Sequence, residues 1–369
     1  VRRDVDVVVA GAGPAGATVA LLLARAGVET LLLEKREFPR DKLCGGFLAA
    51  RTLCLLEELH GSAWPADLIH QGEDRFQIWH AGRLLTDRRL GDRMAFVQRL
   101  EFDEFLARQA VRAGAELWER AELRDVAPTA DGRAVELRLA DGRDLSARWL
   151  VGADGVFSRV RQHVDPDWRP GVAALELQIP CDAELPPRLD FGLFPWGYGW
   201  RFPKRGVQTV GVCGASGRTG SLAPALRAYL AQLGLEAGPG LAGWPLPDRP
   251  ARLCRGRILL TGDAAGLCEP ISGEGIYFAL RSGERAARAL LAARLVTAHH
   301  AEEHLRAGYQ AGTRHLRRQL LASRLFRPLF HRPGVQERLL RTFANLPELN
   351  QVEWPDILRH AARELLRPR

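Results

Sequence analysis

The sequence predicts a mixed α/β chain, with α+β character in its middle. An open parallel sheet is interleaved with an antiparallel-sheet region, and a helical C-terminal region follows. Three observations carry this. A short apolar run, Val5 to Ala10, enters a glycine turn and then a helix. Alternating segments and a stretch rich in Pro, Gly and aromatics occupy the middle. Everything beyond Ala279 reads as helical.

The elements follow in order. Val5 to Ala10 is read as a buried parallel strand. Gly11-Ala12-Gly13-Pro14-Ala15-Gly16 is the turn. Ala17 to Ala26 is a helix stopped by Gly27, and Thr30 to Leu33 is a second strand followed by Glu34. Phe102, Phe105, Leu106, Ala110 and Ala113 share one face of a further helix. Val135, Leu137 and Leu139 alternate with polar residues between Asp131-Gly132 and Asp141-Gly142, which predicts an antiparallel meander ending at Leu150 to Gly155. Residues 171–250 form a second, sheet-based region, with Thr209 to Cys213 strand-like. Ile258 to Thr261 is another buried strand, and a long helix follows Gly275. The helical end is expected to break near Pro328, Pro333, Pro347 and Pro355. The expected partition is 1–70 with 96–165 and 251–285, then 71–95 with 166–250, then 286–369.

Composition bounds the function. The chain has 369 residues, 46% hydrophobic and 26% charged, enough for one large or two modest domains. No uncharged apolar run of about 18 residues suggests a membrane span. The start at Val1 reads as trimmed or edited, without a signal-peptide layout. Cys44, Cys54, Cys181, Cys213, Cys254 and Cys268 are scattered, with no C-x-x-C. That argues against disulfides or zinc and fits a reducing cytoplasm. The net charge of +8 is concentrated: residues 281–369 carry 17 Arg against 8 acids, leaving the remainder at −1. Such a region suits anionic lipid, a pyrophosphate-bearing substrate or nucleic acid, or it is simply a solvated helical surface. Nucleic-acid binding has nothing but charge behind it, and none is expected.

The glycine turn carries the first chemistry. Gly11 allows the bend, Gly13 lets a pyrophosphate approach the backbone, and Gly16 lets helix and strand pack closely. The helix N-terminus offers N–H groups and partial positive charge to phosphates. Glu34, 23 residues after Gly11, can accept ribose hydroxyls and would repel a 2′-phosphate. The pattern predicts a dinucleotide site that does not take NADP.

Three further segments resemble the flavoprotein group that includes para-hydroxybenzoate hydroxylase. They are Val151-Gly152-Ala153-Asp154-Gly155 with Ser158 and Arg161, then Thr261-Gly262-Asp263-Ala264-Ala265, then Pro270-x-x-Gly273-x-Gly275-Ile276. The resemblance implies a Rossmann-like FAD-binding domain. It places Asp263 at the ribityl chain and aims the helix from Ile276 at the flavin ring, where it favours negative charge on reduced flavin. It also implies FAD contact by Arg99, Pro14, Ala15, Lys35, Arg40, Asp154, Gly155 and Gly262. No second G-x-G-x-x-G stands between a predicted strand and a predicted helix, so a nicotinamide donor visits transiently or a protein supplies electrons.

Two segments narrow the resemblance. Phe38-Pro39-Arg40-Asp41-Lys42-Leu43-Cys44-Gly45-Gly46 looks like the C-G-G loop of the geranylgeranyl reductase family. Pro195-Trp196-Gly197-Tyr198-Gly199-Trp200-Arg201-Phe202-Pro203 fits that family's P-x-x-Y-x-W-x-F-P pattern. In that family reduced FAD saturates isoprenoid double bonds. The resemblance implies that Cys44 and Gly45 lie beside the flavin, and that Gly46, Tyr198, Trp200 and Phe202 line a cavity for a hydrophobic substrate. Chemically, hydride transfer to an unactivated alkene needs an acid for the other carbon, and Cys44 is the candidate. The aromatic faces suit developing positive charge and an apolar chain. A buried cysteine in a glycine turn and an ordinary aromatic strand remain the plain alternative. The alternative activities are an FAD-dependent monooxygenase or hydroxylase and, third, a flavin-dependent halogenase, whose W-x-W-x-I-P differs from Tyr198-x-Trp200-x-Phe202-Pro203.

His300-Ala301-Glu302-Glu303-His304 fits the zinc pattern H-x-x-E-H, but it lies in a polar tail without a third ligand, so no metal is expected. No G-x-S-x-G is present. Leu316, Leu320, Leu321, Leu325 and Phe326 are interleaved with Arg317, Arg318 and Arg324. They suit either peripheral membrane contact or a packed helix pair.

Overall fold

The computed structural model describes residues 3–61, 64–70, 75–89, 94–236, 238, 240–294, 300–332 and 334–344. The expected breaks at Pro333, Pro347 and Pro355 lie outside them. The chain divides into two compact units: residues 1–41, 100–170 and 247–320, and residues 42–99, 171–246 and 321–369.

The first unit is built on an eight-stranded sheet. Its strands are β1 (Arg3–Ala10), β2 (Thr30–Leu33), β7 (Glu116–Trp118), β8 (Leu123–Pro128), β9 (Val135–Leu139), β10 (Asp144–Gly152), β16 (Cys254–Arg255) and β17 (Ile258–Leu260). The order is β16-β17-β10-β1-β2-β7, with β8 and β9 continuing antiparallel from β10. β1 runs parallel to both β2 and β10, and β10 parallel to β17. Val8, Val9, Leu31, Leu32, Leu150, Val151 and Leu259 are fully buried, as a parallel sheet covered on both faces requires. Helices α1 (Pro14–Arg25), α4 (Arg159–Val164), α6 (Ile276–Arg294) and α7 (Ala301–Gly312) cover it, and α3 (Arg99–Arg112) begins at the unit boundary. The Tyr309 hydroxyl of α7 donates to the Leu260 carbonyl at 2.7 Å, pinning that helix to β17.

The second unit holds a seven-stranded sheet in the order β15-β11-β14-β13-β12-β4-β5. The strands are β4 (Arg75–His80), β5 (Arg83–Arg89), β11 (Val172–Pro180), β12 (Arg188–Phe191), β13 (Gly197–Lys204), β14 (Val207–Ala215) and β15 (Ala242–Leu246). All pairs are antiparallel except β12 with β4. Leu222, Leu226, Tyr229 and Leu230 of α5 (Leu222–Gln232) pack on Leu177, Val210 and Val212. Each such leucine contributes roughly 1.5–3 kcal/mol. Side chains alternate along a strand, so Glu176, Tyr198, Trp200 and Phe202 occupy the face opposite α5. A two-stranded piece, β3 (Phe47–Leu48) with β6 (Ala95–Phe96), and helices α2 (Ala50–His60) and α9 (Val335–Ala344) complete the unit.

Three local expectations are corrected. The first helix begins at Pro14, because proline suits the first helical position. Pro328 does not break the chain: it lies inside α8 (Arg314–Phe330), two residues from the end, where the missing N–H removes a single helical bond. Arg99, which the sequence places just before the helix at Phe102, is the first residue of α3.

Candidate active site

The four cofactor-type motifs meet at one edge of the parallel sheet. Ala10 pairs with Leu33 on one side and Gly152 on the other, and Gly152 pairs with Leu260. Backbone hydrogen bonds tie the strand ends: Gly11 N to Leu33 O at 2.8 Å, Ala153 N to Ala10 O at 2.8 Å and Thr261 N to Gly152 O at 2.9 Å. Glu34, the glycine turn, Asp154-Gly155 and Gly262-Asp263 thus leave the carboxyl ends of β2, β1, β10 and β17. The strands that follow β1 lie on both of its sides, and such a switch point is where open α/β sheets bind ligands.

The glycines are forced by packing. Gly11 has φ +100°, and a Cβ there would stand 2.4 Å from the Ala153 carbonyl oxygen. A Cβ on Gly16 would stand 1.9 Å from the Gly11 oxygen, so α1 could not lie against β1. Gly13 differs: only Arg40 Nη2 comes within 4.0 Å of its would-be Cβ, leaving backbone open to a ligand. It caps α1 without a side-chain hydrogen bond, so the helix N-terminus keeps donors for phosphate.

Glu34 is more engaged than the sequence shows. Its Oε2 takes Arg40 Nε at 2.9 Å and its Oε1 accepts from Arg36 N at 3.1 Å. Arg40 Nη1 also reaches Asp103 Oδ2 at 2.8 Å, and the Asp103 side chain has no exposed surface. Arg40 lies over the Phe38 ring at 4.8 Å. Asp103 was invisible in sequence, being one acid among several on α3. Lys35, next to Glu34, is exposed.

Asp154 Oδ2 accepts from Arg159 N at 2.7 Å, while Oδ1 is buried without a partner among the described residues. Burial pushes this carboxyl above its ordinary range. Ser158 caps α4 by accepting from Arg161 N at 2.8 Å. Arg161 Nη1 donates to Ala264 O at 3.3 Å and its guanidinium stacks 4.1 Å from Trp168, coupling the two aspartate segments. Gly262 N donates to Ser282 Oγ at 2.9 Å, and a Cβ on Gly283 would stand 2.5 Å from the Ala15 oxygen, so α6 lies tight on α1. Glu269 shapes the turn into α6, accepting from Ile271 N at 2.9 Å and Ser272 Oγ at 2.7 Å. Gly273 has φ +73°, and Gly275 precedes Ile276, with its would-be Cβ 3.6 Å from Asp263 Oδ1. A helix-interior glycine costs about 1 kcal/mol, so Gly283 was the available sequence signal for this close approach.

These features fit FAD. They supply a helix N-terminus with no side-chain cap, a turn whose backbone is open at Gly13, a buried carboxylate oxygen at Asp154, and a second helix N-terminus at Ile276.

In the second unit the C-G-G loop lies on the aromatic face. Cys44 N donates to Glu176 Oε1 at 2.7 Å, and Gly46 N lies 3.4 Å from Cys44 Sγ. A Cβ on Gly45 would stand 2.8 Å from the Phe202 ring. Gly46, at φ +75°, would meet Val97 O at 2.0 Å. Tyr198, Trp200 and Phe202 are all buried. Tyr198 lies 6.0 Å from Trp200 and 5.3 Å from Phe191, and Phe202 lies 5.1 Å from Phe96. Arg99 is buried. Glu176 is the residue here that sequence reading missed.

Among the described residues no group of three or more metal-ligating side chains assembles. Glu302 of the H-x-x-E-H segment pairs with Arg257 at 3.2 Å. No helix among them is long and apolar enough to cross a membrane.

Residues 4–186 match the FAD binding domain family. The chain is 32% identical to a menaquinone reductase of Mycobacterium tuberculosis over 79% of this chain and 77% of that protein. It is 32% identical to the chloroplastic geranylgeranyl diphosphate reductase of Oryza sativa over 79% of this chain and 67% of that protein. A geranylgeranyl bacteriochlorophyll reductase-like structure from Thermoplasma acidophilum shares the fold, with TM-score 0.84 and 22% identity over 99% of this chain and 97% of that one. The chain therefore belongs to the geranylgeranyl reductase family of FAD-dependent oxidoreductases, within the group that shares the para-hydroxybenzoate hydroxylase fold.

Proposed function

We propose that the protein saturates C=C bonds in the isoprenoid chain of a hydrophobic substrate. One observation carries this reading: a cysteine loop gripped by a buried glutamate on a face of Tyr198, Trp200 and Phe202, in a chain that also has an FAD cradle. FAD, when bound and reduced, supplies the hydride.

The chain's own residues supply the rest. Backbone N–H groups at Gly13, Ala15 and Gly16 frame the pyrophosphate position; Pro14, which has no N–H, fixes the first helical turn, and Arg40 lies beside them. Glu34 serves the adenosine ribose through the carboxylate oxygens that Arg40 orients. Asp154-Gly155, Gly262, Asp263 and Arg99 serve the remainder of the cofactor. The N-terminus of α6, at Gly273, Gly275 and Ile276, favours negative charge at the far end of the ring. Cys44 Sγ holds the proton for the second alkene carbon, and the aromatic faces exclude water and stabilise positive charge developing there.

The partition of labour is the first unit for cofactor and the second for substrate. Reducing equivalents arrive from NAD(P)H in transit or from a protein donor, since in this reading the glycine turn from Gly11 to Gly16 is taken by FAD. Exposed Leu321 and Leu325, at 52% and 72%, with Arg324 between them, support peripheral contact with a membrane by a cytoplasmic protein.

The test is anaerobic turnover with reduced FAD on polyprenyl substrates, read by product mass. A gain of two hydrogens per bond is expected. A product heavier by one oxygen under air, with no anaerobic product, would replace this reading with a monooxygenase.

A further inference from the structure

Glu176 is buried to 4% exposure in the middle of β11, where an apolar side chain would be cheaper. It is placed by its neighbours. Gly211 of β14 pairs with Glu176 on one side and with Trp200 on the other. A Cβ on Gly211 would stand 2.3 Å from the Trp200 ring and 2.8 Å from Glu176 Cβ. The missing side chain lets the indole close over the space beside the glutamate. Trp200 and Phe202 then hold Gly45, and Val97 and Lys204 hold Gly46. The glutamate's Oε1 takes the N–H of Cys44 itself, at 2.7 Å.

We propose that Glu176 is the positioning residue for Cys44: its carboxylate fixes the backbone of residue 44 and thereby the place of Sγ. Its part in turnover rests on the reading of Cys44 given above, but the positioning does not. A carboxylate spends its burial on a strong acceptor for one loop N–H. Gly45 and Gly46 cannot replace that hold, because they have no side chains to anchor the loop.

The test uses the full-length, FAD-loaded protein and alkylation by iodoacetamide, followed peptide by peptide. Cys54 of α2 is exposed and serves as the internal reference. Glu176→Ala and Glu176→Asp both withdraw the acceptor from Cys44 N, and Asp does so while keeping the charge. Each is expected to raise the Cys44-to-Cys54 alkylation ratio about tenfold, as loss of one charge-assisted bond frees the loop. Glu176→Gln keeps an acceptor oxygen at the same reach and is expected to stay within about twofold of the parent. With substrate, Ala and Asp are expected to lower kcat with KM nearly unchanged, and Gln to restore it. An unchanged ratio in Ala and Asp, or Gln behaving like Ala, would overturn the proposal. If the isoprenoid reading alone fails, the parent shows no turnover while the alkylation ratios still move.

Discussion

Arg40 should be the residue on which the cofactor cradle depends most. Its guanidinium bridges two carboxylates through different nitrogens, at 2.9 Å to Glu34 and 2.8 Å to Asp103. The three side chains are 10%, 6% and 0% exposed. Arg40→Ala leaves two buried carboxylates without their shared cation. Breaking one buried pair costs about 3–5 kcal/mol. Glu34 keeps a backbone donor at Arg36 N, which offsets part of its loss. The expected destabilisation is therefore about 3–5 kcal/mol for the variant as a whole, not twice that. Arg40→Lys keeps the charge and some of the contact with the Phe38 ring, but an ammonium does not reproduce the two-pronged geometry. Loss of one charge-assisted bond predicts about 1.5–3 kcal/mol. The assay is urea unfolding of FAD-free protein, because bound cofactor would add stability by mass action. Circular dichroism and tryptophan fluorescence should be followed together, since two units need not unfold as one. The reasoning fails if Arg40→Ala lies within about 1 kcal/mol of the parent, or if Lys and Ala cost the same.

Further outcomes follow from the same geometry. Gly16→Ala must push α1 off β1, at about 1–3 kcal/mol of overpacking, and should purify with a much lower ratio of flavin to protein absorbance; a normal ratio would contradict the packing argument. Cys44→Ala should retain FAD while kcat falls by about 10²–10⁴, and Cys44→Ala with full kcat would remove Cys44 from the chemistry. His331 stacks 5.2 Å from Trp196, and burial, with help from the Arg327 charge, pushes its imidazole down from 6.5 to about 4. A depressed histidine is neutral in the fold, so its contribution is complete above pH 6.5 and is lost as pH falls from there towards 4. His331→Phe should flatten the stability profile in that window, and urea midpoints measured across it with equal slopes for both proteins would refute this.

The cradle was legible because its demands are local. A tight turn and a close helix each need glycine at a fixed distance along the chain, and Gly11 and Gly16 stand where a Cβ would strike backbone, with Glu34 at the end of β2. The parallel strands β1, β2 and β17 were legible for the same reason, as short apolar runs ending in motif residues. Asp103, Glu176 and Ser282 were not legible. Each acts on a partner 63, 132 or 20 residues away, and nothing in the spacing of a lone acid or serine announces its partner. Glu176 is the sharper case. Its strand alternates normally, and a glutamate in alternation reads as solvent-facing. Only the register of β11 with β14 and β13 turns it onto the aromatic face. Pro328 misled in the opposite sense: its local rule was right, but so near the end of α8 it had little helix left to break.

The two units carry constraints of different kinds. The cradle excludes side chains: Gly11, Gly16, Gly262 and Gly283 sit where even a methyl group would strike backbone or the Ala15 side chain. Any group held there meets backbone N–H donors and helix ends, which bind a pyrophosphate and do not distinguish one flavin reaction from another. The aromatic face is the reverse. Gly45, Gly46 and Gly211 are empty so that large side chains can close over them, and among the charged groups buried there Glu176 accepts a backbone amide while Lys204 lies against Gly46. If the second unit takes the substrate, as proposed, selection among reductase, hydroxylase and halogenase chemistry falls to it. Substitutions there should change which product forms, whereas substitutions at the glycine turn should change how much flavin is held and not which product forms.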